Sequence, residues 1–63
     1  MTTIITVTAN KYIQYRSAQR MASLKVMKLY PRAKEISLLG RVSEKQNLTN
    51  PDKFDFSYKY EVN

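Results

Sequence analysis

The chain has 63 residues and contains no cysteine, histidine or tryptophan, a single glycine and two prolines. Without thiols or imidazoles the usual zinc, haem and iron–sulfur ligand sets cannot be assembled, and neither can a Ser-His or Cys-His nucleophile pair. No metal and no cofactor is expected, and the chain is read as a non-enzyme. No disulfide can staple it, which fits a reducing cytoplasm better than an oxidising compartment. The sequon Asn47-Leu48-Thr49 is then accidental. Long apolar runs are missing too: the longest uncharged stretch, residues 1–10, is threonine-rich and too short and polar to span a bilayer or to act as a signal peptide. Acid is absent from residues 1–34, as in a mitochondrial presequence, but the β-branched run Thr2 to Thr8 argues against that reading.

A chain of this length makes one domain, 1–63, and folding hides only about 60% of the surface that the unfolded form exposes. Its core is small and its stability marginal. A hydrophobic fraction of 43% with five tyrosines and two phenylalanines is ordinary for a globular fold and too high for a disordered tail. Lys, Asn, Ile, Tyr, Phe and Met total 25 residues against 11 for Gly, Ala, Arg and Pro. An AT-rich genome produces such a skew, and with the small size it suggests a phage or a low-GC bacterium.

The order of patterns is β-α-β-β, an α+β class. Residues 2–9 are dense in β-branched side chains, with Ile5, Val7 and Ala9 on one face and Ile4, Thr6 and Thr8 on the other, as a strand requires. Asn10 is a helix N-cap candidate and Pro31 a stop, so residues 11–30 are predicted helical. Tyr15, Ala18, Ala22, Val26 and Leu29 form the stripe that would face a sheet. The alternative makes residues 12–16 a strand paired with residues 2–8, with Ser17 capping a shorter helix. Residues 35–42 alternate as a second strand with Ile36, Leu38 and Val42 inward and a bulge or close contact at Gly40. Residues 43–53 read as a long connection holding the turn Asn50-Pro51-Asp52. Residues 54–62 alternate Phe54, Phe56, Tyr58, Tyr60 and Val62 with polar residues, a third strand whose aromatic face supplies much of the core. A strand–helix–strand crossover makes strands one and two parallel, and the aromatic strand fits between them. The prediction is a three-stranded sheet of order 1-3-2 with one helix on one face. Strand one is then an edge that another chain could extend.

Charge separates the halves. Lys11, Arg16, Arg20, Lys25, Lys28, Arg32 and Lys34 give residues 1–34 a charge of +7, whereas residues 35–63 hold four bases and five acids. On the helix, Arg16, Arg20, Leu24 and Met27 share a row away from the core stripe, with Met21 and Lys28 beside it. The expected partner-binding surface comprises Arg16, Arg20, Met21, Leu24, Lys25, Met27 and Lys28, continued by Arg32 and Lys34. Cations would meet an acidic partner while methionine and leucine supply adaptable apolar contact. The bland reading has the apolar side chains covered by residues 43–53 or by a second copy, and the bases merely solvated.

The expected partner is an acidic macromolecule. A host protein, whose surface a small regulatory or inhibitory protein of phage type would occlude, is preferred. Direct nucleic-acid binding, DNA or RNA, is the alternative. No helix-turn-helix, Gly-rich phosphate loop or RNP-like motif supports the latter, and no membrane partner is expected, because the helix spends its apolar stripe on the sheet. A small core and an uncovered edge also favour a homodimer. Asp52 and Asp55 could act together as an acid–base or metal pair, but turn and surface roles explain them better. The tyrosines have no activating base in view.

Overall fold

A computed structural model describes residues 1–10 and 15–63, the side chains of residues 15 and 16 excepted. The order is strand β1 (Thr2–Asn10), helix α1 (Tyr15–Leu29), strand β2 (Ile36–Gln46) and strand β3 (Lys53–Val62). The sheet runs β1-β3-β2, with the aromatic strand central and antiparallel to both neighbours. β1 and β2 are therefore parallel to each other and joined through the helix, and the predicted α+β, β-α-β-β architecture is the one observed.

Alternation in β1 and β3 sets the core. Ile5 lies opposite Tyr58 and Val7 opposite Phe56, so both inward rows meet on the face that the helix covers. All four are buried, as are Tyr60 and Val62. Ala18, Ala22 and Val26, one residue per turn, are completely buried. Two of these three are alanines, so the helix backbone lies close to the sheet and only a narrow strip of it is hidden. The helix packs mainly on β1 and less on β3. No glycine or proline interrupts it, and it ends where Pro31 disfavours helical geometry at the residue before it.

Several expectations need correction. Asn10, the expected helix cap, is the last residue of β1, opposite Lys53, and the segment it would cap lies outside the described residues. The helix of residues 15–29 includes positions 15 and 16 of the disputed segment; positions 11–14 lie outside the described residues. Leu29 falls on the core stripe but is exposed, because it sits in the last helical turn, at the margin of the packed layer. Leu38 and Val42 are likewise exposed. Leu38 lies opposite Tyr60, but the helix leans toward β1 and leaves the β2 side of that face uncovered. Two register shifts, between Leu38 and Gly40 and between Arg41 and Ser43, each insert an extra residue into β2, so Val42 has no partner on β3 and Arg41 takes the place opposite Tyr58. Gly40 adopts φ 153°, a backbone conformation open to glycine and strained for other residues. The bulge expected there is present.

The last correction concerns the connection, which is shorter than predicted because β2 and β3 extend to Gln46 and Lys53. Only residues 47–52 remain as the hairpin loop. The Asn47 side-chain oxygen accepts from the Thr49 and Asn50 amides at 3.0 and 2.8 Å, and the Asn50 side chain accepts from the Asp52 amide at 3.2 Å. Asparagine turns of this kind satisfy the loop's own backbone.

Candidate binding surface

The helix overhangs an edge. Because α1 sits chiefly above β1, and no strand lies beyond β1 among the described residues, the helix flank past Lys25 has no described sheet beneath it. Met21, Leu24 and Met27 are 44%, 55% and 56% exposed. Arg20, Lys25 and Lys28 stand exposed among them. The hairpin loop covers none of these apolar side chains.

Between that flank and β1 runs a groove of about 480 Å³, lined by Thr6, Thr8, Met21, Leu24, Lys25 and Lys28 with Val7 at its floor. The Lys25 ammonium donates to the Thr6 carbonyl at 3.0 Å. A lysine that reaches over an edge strand in this way occupies a backbone acceptor that would otherwise solicit another strand.

A second depression, of about 780 Å³, opens where the chain leaves the helix, bordered by Met1, Leu29, Pro31, Arg32, Lys34 and Val62. The amides of Lys34 and Glu35 donate to the Asn63 oxygen at 2.6 and 3.3 Å, which holds this exit against the end of β3. The predicted residues thus fall into three places. Met21, Leu24, Lys25 and Lys28 line the groove, Arg20 and Met27 stand on the outer surface of the helix, and Arg32 and Lys34 border the second depression. The side chain of Arg16 lies outside the described residues. Sequence reasoning missed Thr6, Val7 and Thr8 as groove partners, along with Met1 and Leu29 at the exit. Their signal was the placing of strand one at an edge, but which helix flank hangs over it depends on the docking.

The carboxylates lie elsewhere. On the open face of the sheet Thr2 donates to Glu61 at 3.1 Å and Thr8 to Asp55 at 2.6 Å, while the Thr6 and Ser57 hydroxyls meet at 2.8 Å. The hydrogen bond from Thr8, then one from Asn47, holds the Asp55 carboxyl below its usual range. Glu61 is lowered by Thr2 and then by the amino-terminal ammonium, 3.3 Å away. The ion pairs among the described residues are that one and Arg41–Glu44 at 3.9 Å. Hence Arg20, Lys25, Lys28, Arg32 and Lys34 have no carboxylate partner among the described residues. The first helical turn also carries no acid to offset the positive end of the helix dipole.

Other chemistry finds little footing. Asp55 bonds Thr8 and Asn47, whereas Asp52 sits exposed in the turn, and the two share no polar partner among the described residues. No group of three or more acidic side chains able to hold a metal occurs among the described residues. No described helix is long and apolar enough to cross a membrane. The chain matches no protein-family model, and no curated protein or solved structure is significantly similar to it.

Proposed function

We propose that this chain is a small, non-catalytic basic protein that docks through its helix and helix exit onto an acidic protein surface, which it occludes as a regulator or inhibitor in the cytoplasm. The observation that carries this reading is the mixture on the helix: exposed Met21, Leu24 and Met27 set among cations that no described carboxylate neutralises. Phosphates would use the cations alone, whereas a protein surface uses both. Apolar contact supplies the burial that binding needs, and the charges speed encounter with an acidic partner.

Direct binding of nucleic acid is the second reading, supported by the uncompensated charge of Arg20, Lys28, Arg32 and Lys34. The two differ in their response to nuclease and to substitution. Arg20→Glu with Lys28→Glu reverses two exposed side chains and leaves the core untouched, so the fold should survive with a change within about 0.5 kcal/mol per site. Wild type immobilised in a nuclease-treated bacterial lysate should retain one defined protein that the double variant fails to retain. Recovery that vanishes with nuclease refutes occlusion of a protein and favours nucleic acid. In that case a gel-shift series should show affinity falling steeply with added salt.

A further inference from the structure

The two edges of the sheet are finished differently. β2 is broken by bulges at Leu39 and Val42, devices that twist an edge away from further pairing. β1 is regular over nine residues and pairs with β3 without a shift. The Val62 amide donates to the Met1 carbonyl at 2.7 Å, so the odd-numbered residues of β1 turn their backbone groups toward β3. By strand alternation Thr2, Ile4, Thr6 and Thr8 turn theirs outward. The reach of Lys25 to the Thr6 carbonyl agrees with that parity independently.

We infer that the β1 edge accepts an extended acidic segment of the partner as a fourth strand, and that Lys25 is the latch that such a segment releases. The inference rests on the docking reading above and names how the groove would be filled. An incoming strand would pair with the outward groups of Ile4, Thr6 and Thr8. Its helix-side residues would lie in the groove, where Val7, Met21 and Leu24 meet apolar side chains and Lys25 and Lys28 meet carboxylates. A carboxylate draws the Lys25 ammonium off the Thr6 carbonyl and frees that acceptor for a backbone amide. A neutral or basic strand offers the lysine nothing in exchange, so the latch also selects. Charge argues against a second copy as the occupant. Antiparallel β1–β1 pairing would set Lys25 and Lys28 of two chains, each of net charge +6, against one another.

The test uses isotope-labelled protein and a blocked nine-residue peptide with threonine at odd positions and leucine and glutamate alternating at even ones. Binding should slow exchange of the Ile4, Thr6 and Thr8 amides at least tenfold. Affinity should drop at least tenfold when lysine replaces the glutamates or when the peptide's central amides are N-methylated. Thr6→Pro should weaken binding equally, because its amide faces outward and its loss removes no β1–β3 hydrogen bond. Should that variant fail to fold, the N-methylated peptide asks the same question of wild type. Absence of binding overturns the inference, as does equal binding of the lysine peptide. Binding that leaves these amides unprotected, or that tolerates N-methylation, overturns strand addition while leaving acidic docking by the helix intact. Concentration-dependent protection in protein alone overturns it in favour of a second copy.

Discussion

Helix and sheet are joined by a part-buried hydroxyl pair whose worth can be measured. The Ser23 and Tyr60 hydroxyls lie 2.9 Å apart across the interface, and Tyr60 is only 2% exposed. Tyr60→Phe removes the phenol oxygen and leaves Ser23, which is part-buried and can turn to its own helix backbone. The cost should be about 1 kcal/mol, the net worth of an ordinary hydrogen bond. Ser23→Ala strands the more deeply buried phenol, a penalty of about 1–3 kcal/mol, of which roughly 0.5 is offset because alanine is the better helix former. In the double variant neither group is left unmet, so its loss should fall short of the sum of the two by about 1 kcal/mol. Urea unfolding measures all four proteins. With a slope near 1 kcal/mol per molar for a small domain, each single change moves the midpoint by about 1 M. Losses that add to within about 0.3 kcal/mol would mean that the hydroxyls do not meet. The helix would then sit elsewhere over the sheet, and the groove beside β1 would have another shape.

Two further outcomes follow from the core and the open face. Phe56→Ala empties a ring position that is 2% exposed and should cost about 3–5 kcal/mol, comparable to the whole stability of a chain this size; a cooperative thermal transition by circular dichroism in that variant would show the ring to be dispensable. Asp55 and Glu61 are held below their usual values, so the stability they lend is complete above the unfolded-state values and is lost as pH falls through the lower folded ones. Melting temperature should therefore be level from neutrality to about pH 5 and decline below about pH 4. Asp55→Asn with Glu61→Gln should flatten that acid limb, and an unchanged slope would refute the assignment.

Local pattern alone located the elements of this chain, since period-two alternation in residues 54–62 and β-branching in residues 2–9 leave a strand little choice. Strand order followed as well, because an aromatic row buried along its length must lie under the helix and between neighbours. The separation of charge is a property of the sequence, and so is the absence of imidazole and thiol chemistry. Docking determined the rest. Val42 belongs to the inward row by alternation, yet two extra residues in β2 take it out of register, and a register shift is a pairing event that one strand's pattern does not encode. Leu29 lies on the helical stripe, but burial needs a partner surface, and Leu29 stands at the margin of the packed layer, 57% exposed. Of the nine residues expected to share a surface, the eight whose side chains are described are divided by the path of the chain over the sheet. Whether Met21 and Leu24 would be covered depended on the helix standing above the edge strand, which is decided by how Ala18, Ala22 and Val26 pack on the sheet and not by the helix's own periodicity.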